Sequence, residues 1–326
     1  MKKITAVAPS NVALIKYWGR SNEYDRLPAN DNIAMNVSNL FTTTTVEFDP
    51  SLKKDDVIIN KKKVAKEADR VTKQLDRIRN LAGRKLFAKV VSENSFPSSS
   101  GLSSSASGFA ALTAAGAKAI GLELSEKELS ILARQGSGSA CRSIPSGFVE
   151  WYKGENSETS YAKSIYPSTH WDICDVVVVV SDKKKYIPTS ASHQSAYTSP
   201  FFEKRLTLLP KKIIEIKKLI KEKNFPKFGE LIEKEALEFH AILFTSNPPL
   251  IYWLPETLSA MYDVQQIRKE GTEAYFTINT GHDVHVMCQK KDAKKIADFF
   301  KKQRYVKDVI INTVSEGIRY SDKHLF

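Results

Sequence analysis

The sequence predicts an α+β fold in two domains. Helical and strand-like segments are mixed along the 326 residues without the strict strand–helix–strand alternation of a parallel sheet. Some segments repeat apolar residues at helical spacing, whereas others are short and rich in β-branched residues. The polar, turn-rich segment Pro188–Pro200 follows a valine-rich strand, so we place a domain junction near residues 183–190. We therefore expect the domains to comprise residues 1–186 and 187–326.

The first half contains predicted strands and helices in mixed order. Gly121 ends an alanine-rich helix, and Ser125 with Glu128 has the spacing of a capping box that starts the next helix. Val176–Val180 is continuously apolar, which is typical of a buried strand. The other predicted strands are Ile4–Ala8, Thr42–Phe48 and Leu86–Ser92, and the predicted helices are Asp69–Leu81, Ser103–Ile120 and one from Ser125 towards Gln135.

The second half is predicted to begin with three long helices and to end with shorter elements around a glycine turn. The helices are Phe202–Glu222, Phe225–Phe244 and Pro255–Glu270. They are followed by strands at Ala274–Ile278 and Val284–Cys288, a helix at Ala293–Lys302 and a strand at Asp308–Asn312.

Composition excludes several classes of protein. The net charge is +12, but the lysines are dispersed and have no interleaved aromatic residues, so we expect solvated faces and no nucleic-acid partner. No apolar run approaches the ~20 residues that span a bilayer. The beginning of the sequence lacks a long apolar stretch, so we expect a cytoplasmic protein. Cys141, Cys174 and Cys288 are too dispersed for a zinc site or a disulfide framework, and we expect reduced thiols and no metal site, although one cross-link stays open.

The first candidate site is the segment Phe96–Ala106, which reads FPSSSGLSSSA. A strand leads into it and an alanine-rich helix follows. Backbone N–H groups at a helix N-terminus, together with serine hydroxyls, form an anion site, and small residues let the backbone approach a phosphate. The alternative is a serine-rich loop that only caps the helix. The segment lacks the Gly-Lys-Ser/Thr of a Walker A motif.

The second candidate is Gln135–Ser143, in which Arg142 ends a Gly/Ser-rich segment. The planar guanidinium suits a carboxylate or phosphate. The alternative is a surface arginine in a flexible loop. The third candidate is Pro9–Arg20, where Lys16 and Tyr17 follow an apolar stretch. There the alternative is a lysine that extends its ammonium group into water.

These segments together resemble the diphosphomevalonate decarboxylase family of the GHMP-kinase superfamily. The clearest matches are Ala13–Gly19, which reads ALIKYWG, and Gly136–Ser143, which reads GSGSACRS. Further matches extend over nearly the whole chain, at Leu27–Asn30, Asn94–Leu112, Arg134–Trp151, Glu235–Ala241, Pro248–Trp253 and Ala274–Cys288. The resemblance implies an N-terminal domain like ribosomal protein S5 domain 2 and a ferredoxin-like C-terminal domain. It also implies a phosphorylated mevalonate derivative in the cleft between them, and a homodimer.

The resemblance also implies roles for individual residues. Lys16 would lie beside the substrate's 3-oxygen and its phosphate. Tyr17 and Arg20 would hold the phosphate at the 5-end, whereas Arg142 would bind the carboxylate with help from serines. We therefore predict Lys16, Arg142 and Ser105 as catalytic residues. The predicted substrate-binding residues are Asn11, Tyr17, Arg20, Ser137, Ser139, Asn279 and Thr280. The predicted phosphate loop contains Ser98, Ser99, Ser100, Gly101, Ser103 and Ser104.

One departure from the family pattern bears on the reaction. ATP-dependent members carry Asp-Ala-Gly-Pro-Asn after a Tyr-Phe-Thr strand, and that aspartate is the base for the 3-hydroxyl. This chain has Asn279 at the position of the aspartate, and an amide has no basic site near neutrality. We therefore expect an enzyme that needs no cofactor and whose substrate already carries a 3-phosphate. Mevalonate 3,5-bisphosphate would then lose phosphate and CO2 to give isopentenyl phosphate.

Three alternatives remain. An ATP-dependent diphosphomevalonate or phosphomevalonate decarboxylase would use ATP and Mg²⁺, with His282 or Asp283 as a displaced base. A mevalonate 3-kinase would stop after phosphoryl transfer. A non-catalytic relative would have no physical reason to retain both Lys16 and Arg142. Ala191-Ser192 stands in place of the Gly-Met pair of ATP-dependent members, so His193 is either a further substrate contact or ordinary surface.

Overall fold

The computed structural model describes residues 2–63, 66–96, 102–183, 189 and 192–326. Helices and mainly antiparallel strands form two domains, each built on one main sheet, so the expected α+β class is confirmed. Within these residues, no helix is both long enough and apolar enough to cross a membrane.

The first sheet has eight strands and is organised around the long strands β1 and β4. They pair antiparallel from Ile4 opposite Val46 to Ile15 opposite Ile33. Both are longer than the sequence predicts, and β1 thereby reaches the cleft. The strands of this sheet are β1 (Ile4–Ile15), β4 (Asn32–Asp49), β5 (Asp56–Ile59), β6 (Lys62–Lys63), β7 (Phe87–Asn94), β8 (Phe148–Trp151), β9 (Ala162–Tyr166) and β14 (Arg319–Ser321). A separate two-stranded ribbon contains β2 (Arg20–Asn22) and β3 (Leu27–Pro28).

Three helices share a hydrophobic core with this sheet: α1 (Lys66–Ala82), α2 (Ser104–Ile120) and α3 (Glu126–Gly136). Alanines of α2 lie in the core because their small side chains let the helix approach the strands closely. Gly121 ends α2 at a φ of 93°, a conformation that favours glycine. The predicted capping box of α3 is present. A 3-10 helix, Gly138–Ser143, follows α3 and faces the cleft.

The second domain has the β-α-β-β-α-β order of a ferredoxin-like fold, with additional helices in the first crossover. Its sheet order is β11-β12-β10-β13, all antiparallel. The strands are β10 (Ile173–Val179), β11 (Ala274–Thr277), β12 (Val284–Gln289) and β13 (Asp308–Thr313). The helices are α4 (Phe202–Glu222), α5 (Phe225–Thr245), α6 (Pro255–Lys269) and α7 (Ala293–Phe300).

The two sheets do not divide the chain at one point. Strand β10 precedes the predicted boundary at residues 186 and 187 but lies in the second sheet. Strand β14 comes from the end of the sequence and pairs with β1 in the first sheet. Residues 186 and 187 lie outside the described residues, so that boundary stays a prediction.

Candidate active site

A cavity of about 260 Å³ lies between the two domains. The end of β1 and the Gly138–Ser143 helix line one side, whereas the other side includes a residue of α5 and the turn after β11. The predicted site residues that line it are Lys16, Tyr17, Arg20, Ser103, Ser104, Ser105, Ser137, Ser139, Arg142, Asn279 and Thr280. The structure thus brings together residues that lie more than 250 positions apart in the sequence.

One predicted site residue that the structure describes, Asn11, does not line the cavity. Asn11 is buried behind it, where its side chain accepts a hydrogen bond from Arg142 Nε at 3.1 Å and donates one to Ser143 Oγ at 2.8 Å. Asn11 therefore orients the arginine. Ser98, Ser99, Ser100 and Gly101 lie outside the described residues.

Lys16 follows directly after β1 and is only 2% exposed. The interpretation as a lysine that reaches water is therefore wrong. Its ammonium group donates to the Ala13 carbonyl at 2.6 Å and to Asn279 Oδ1 at 3.2 Å. Burial lowers the pKa of Lys16 to about 7; Glu235 opposes that shift, whereas the neighbouring Arg142 adds to it.

A buried ion network holds the backbone of Lys16. Its N–H donates to Glu235 Oε1 at 3.1 Å, and its carbonyl accepts from Arg205 at 3.0 Å. Glu235 also binds the Arg205 guanidinium and accepts from Lys212 at 2.7 Å. Burial opposes ionisation, but the two cations hold the pKa of Glu235 below its usual value. The sequence around Glu235 resembles the family, but the sequence predicted no role for this residue. Both of its partners, Arg205 and Lys212, come from another helix.

Arg142 lies in the 3-10 helix and is 4% exposed, so the interpretation as a surface arginine is wrong. Its guanidinium donates to Asn32 Oδ1 at 2.6 Å and to Asn11 Oδ1 at 3.1 Å. Burial lowers its pKa to about 10, so it remains charged at neutral pH. Since both partners are neutral amides, its positive charge is available to an anion in the cavity.

Three further arginines form a second cationic group in the cavity. Arg20 donates to Tyr17 Oη at 2.8 Å and also pairs with Glu23. Burial and then the charges of Arg20 and Arg70 lower the pKa of Arg26 to about 10, which indicates that these cations are close together. Sequence reasoning missed Arg26 and Arg70, because neither belongs to a recognised motif.

His193 also lines the cavity and is 3% exposed, so its interpretation as ordinary surface is wrong. Its ring stacks on Tyr17 at a centroid distance of 4.4 Å and lies 4.6 Å from the Trp18 ring. It therefore belongs to the Tyr17 side of the cavity.

Asn279 connects the cavity to a buried pair of titratable groups. Its Nδ2 lies 3.5 Å from His285 Nε2, and His285 Nδ1 lies 3.0 Å from the carboxylate of Asp175. Asp175 and His285 are on the same face of adjacent strands, since Val177 is directly opposite His285. Sequence reasoning missed both, because the strand register that joins them is a tertiary feature.

The two proposed substitutes for the aspartate do not line the cavity among the described residues. Asp283 accepts the Val180 N–H at 3.1 Å, and His282 Nε2 lies 3.1 Å from the Ser181 carbonyl. Both therefore contact the segment that directly follows β10. The described cavity lining contains no carboxylate at all.

A two-domain α+β protein with this cationic cleft is suited to bind a small polyanion. Two family models match the chain. The diphosphomevalonate decarboxylase-like N-terminal domain matches residues 8–162, and the mevalonate 5-diphosphate decarboxylase C-terminal domain matches residues 175–322. The chain belongs to the diphosphomevalonate decarboxylase family of the GHMP-kinase superfamily, as its motifs indicate.

Individual relatives are similar to this chain over most of their length. Diphosphomevalonate decarboxylase of Candida albicans is 35% identical over 314 residues, which cover 91% of this chain and 87% of the relative. Phosphomevalonate decarboxylase of Haloferax volcanii is 31% identical over 298 residues, covering 91% of each. The solved structure of MDDEF in complex with MVAPP, AMPPCP and magnesium superposes with a TM-score of 0.92 at 36% identity, covering 98% of this chain and 99% of that one.

Proposed function

We propose that this protein is an ATP-dependent decarboxylase of 5-diphosphomevalonate in isoprenoid synthesis. It would transfer the γ-phosphoryl group of ATP to the 3-hydroxyl, and loss of phosphate and CO2 would then give isopentenyl diphosphate. The observation that carries the proposal is the division of the cavity's basic side chains into two groups, Lys16 with Arg142 and the three arginines near Tyr17. The named relatives support the ATP-dependent alternative over the ATP-independent reaction that Asn279 alone suggested.

We assign the substrate's carboxylate to Arg142 with Ser137 and Ser139. Lys16 would lie beside the oxygen on carbon three. Arg20, together with the two arginines missed in the sequence, would bind the phosphates at the 5-end. Three arginines suit a diphosphate better than a monophosphate, because each contributes a full charge and a planar donor fork.

The nucleotide would bind against the N-terminus of α2, where free backbone N–H groups favour phosphate. Ser103, Ser104 and Ser105 add hydroxyl groups there. Because the described lining offers hydroxyls and no carboxylate, Mg²⁺ would be held mainly by nucleotide phosphates and water, which suits its preference for oxygen ligands. The relative solved with AMPPCP, an ATP analogue, also contains magnesium.

A second candidate is the ATP-independent decarboxylation of mevalonate 3,5-bisphosphate. It is favoured by Asn279, because an amide cannot act as a base and the described lining of the cavity contains no carboxylate. In that reaction the 3-oxygen already carries its phosphate, and no base is needed. The homodimer stays a prediction from the family resemblance, and the cytoplasmic location stays a prediction from the sequence.

A CO2-release assay tests these candidates against each other. Purified protein is incubated with 5-diphosphomevalonate, 5-phosphomevalonate or mevalonate 3,5-bisphosphate, each with and without ATP and Mg²⁺. We expect CO2 and stoichiometric ADP from diphosphomevalonate only when ATP is present. Release from the bisphosphate without ATP would establish the second candidate, whereas ADP without CO2 would indicate a 3-kinase.

Gly138 offers a test of the Tyr17 side of the cavity. A Cβ at Gly138 would lie 2.8 Å from Tyr17 Oη, whereas one at Gly108 would meet no atom within 4 Å. Gly138→Ala is therefore expected to displace the tyrosine and raise KM for the phosphorylated substrate by roughly tenfold, with a smaller change in kcat. Steady-state kinetics measures both. Gly108→Ala is the matched control, and equal KM values for the two variants would contradict a role of Tyr17 in binding.

A further inference from the structure

We propose that Lys16 is the catalytic base that accepts the proton of the substrate's 3-hydroxyl. The inference rests on the proposed function, because only a substrate with a free 3-hydroxyl has this proton to lose. The described lining of the cavity contains no aspartate or glutamate that could serve as this base. Some other group must then take the proton when the oxygen attacks the γ-phosphorus.

Few groups in the described lining can do so. The arginines remain charged near neutrality. Burial raises the pKa of Tyr17, so it keeps its proton, although Arg20 partly opposes the shift. His193 stacks on Tyr17 and belongs to the phosphate side. Lys16 is the remaining nitrogen base in that lining, and it borders the carboxylate-binding Arg142.

The hydrogen bonds of Lys16 fit a neutral amine. A neutral amine has two N–H groups and one lone pair, whereas an ammonium has three N–H groups. Two acceptors, the Ala13 carbonyl and Asn279 Oδ1, occupy two of the tetrahedral positions on Nζ. Lys16 lines the cavity, so the third position is available to the substrate. Both acceptors are uncharged, and neither forces the amine to take up a third proton.

The charges around Lys16 also favour the neutral amine. The titratable or charged groups facing it from the surrounding elements are Asp175 of β10, Arg205 of α4, Glu235 and His240 of α5, His285 of β12 and Arg142 of the 3-10 helix. Glu235 is already bound by Arg205 and Lys212, which reduces its hold on a proton at Lys16. Burial is the largest effect, and it brings the pKa of Lys16 to about 7.

The Asp175–His285 pair acts as a positioning device for Asn279. His285 Nδ1 lies 3.0 Å from the Asp175 carboxylate, whose oxygens accept, so Nδ1 donates and the ring turns its other nitrogen, Nε2, towards Asn279. Asn279 Nδ2 then faces Nε2, at 3.5 Å, and Oδ1 faces Lys16. If the Asn279 amide were rotated by 180°, its Nδ2 donor would face the N–H donors of Lys16. The pair thus holds the amide so that it accepts from Lys16.

The proposed reaction moves one proton and one phosphoryl group before CO2 is lost. The Lys16 lone pair takes the 3-hydroxyl proton while the oxygen forms a bond to the γ-phosphorus of a nucleoside triphosphate, and the bond from that phosphorus to the departing nucleoside diphosphate breaks. Lys16 is then an ammonium. In the next step the C3–O bond breaks, and the electron pair of the carboxylate's C–C bond forms the alkene as CO2 leaves. The ammonium stabilises the departing phosphate and can return the proton to it.

The first test measures the proton on Lys16 without any substrate. Protein with ¹³C-labelled lysine is titrated, and the Lys16 Cε resonance is assigned from its absence in Lys16→Arg. We expect a midpoint near pH 7 in the free enzyme. In Asn279→Asp the carboxylate favours the ammonium, so the midpoint should move towards the ordinary lysine value of ~10.4. A wild-type midpoint above about 9, more than halfway to that ordinary value, would overturn the inference.

The second test uses kinetics with diphosphomevalonate and ATP. The kcat/KM of the wild type should rise with pH through a limb near 7, since the neutral amine is the active form. Lys16→Arg places a permanent positive charge at this position and cannot accept a proton, so it should lower kcat/KM by about 10²–10⁴-fold. Adding Asn279→Asp restores an acceptor, so the double variant should recover at least about tenfold over Lys16→Arg. The rise of kcat/KM near pH 7 should be absent in Asn279→Asp alone, whereas it should persist in His193→Gln.

Failure of the inference is distinguishable from failure of the proposed function. If ATP-dependent turnover is found but Asn279→Asp retains the limb, or the double variant shows no recovery, only the role of Lys16 as base is overturned. If CO2 appears only from the bisphosphate without ATP, no hydroxyl is deprotonated and both fail. Thermal unfolding of each variant identifies one that has merely lost its fold, and the lysine titration then decides.

Discussion

Replacing Arg142 with alanine is expected to lower kcat/KM for decarboxylation by about 10²–10³-fold, the effect of removing one fixed donor from developing charge. The guanidinium is buried, charged and held by two amides, so it is oriented before substrate arrives. A buried charge of this kind acts strongly because little solvent screens it. Steady-state kinetics with the cognate substrate measures the loss.

Arg142→Lys is the matched variant. It keeps one positive charge but loses the planar fork, and we expect an intermediate loss. Asn11 and Asn32 lose a partner in Arg142→Ala, so its free energy of unfolding should be determined separately. A folded Arg142→Ala enzyme within threefold of wild-type kcat/KM would contradict the assigned role.

The substitution Glu235→Gln is expected to lower the free energy of unfolding by about 3–5 kcal/mol, the range for breaking one member of a buried ion pair. Glu235 is fully buried and neutralises both Arg205 and Lys212. The amide keeps the volume but removes the charge, so the buried Arg205 loses its counter-ion and Lys212 keeps only the partly exposed Glu238. Urea unfolding followed by fluorescence gives the difference.

Glu238→Gln is the control for this prediction. Glu238 also pairs with Lys212, but its side chain is 29% exposed. Solvent screening limits such pairs to roughly 0–1 kcal/mol. Similar losses in the two variants would mean that burial of the carboxylate is not the source of the stability.

Most of the fold could be predicted because local patterns and tertiary packing agree. Helix α4 begins and ends where the apolar spacing predicts, and α5 and α6 differ by one residue at one end. Strands β1 and β4 were predicted too short. Their inner halves include Asn11 and Asn36, polar residues that local patterns associate with turns but that are buried here by partners from other elements.

Site residues that belong to sequence motifs could be predicted, whereas site features that depend on tertiary contacts could not. Lys16, Arg142 and Asn279 come from motifs, and the structure places all three on one cavity. The burial of Lys16 could not be predicted from its neighbours, because the groups that enclose it come from helices and strands more than a hundred residues away. The pairing of Asp175 with His285 depends on strand register, which the sequence of either strand leaves undetermined.

Strand β14 has a consequence for the order of events during synthesis. Residues 319–321 pair with Thr5, Ala6 and Val7, so one edge of the first sheet is completed only after the whole second domain has left the ribosome. Until then the first residues of β1 present unpaired N–H and C=O groups to any strand nearby. The nascent chain thus has an unpaired sheet edge for most of its elongation. We expect chaperones to bind at this edge and prevent aggregation.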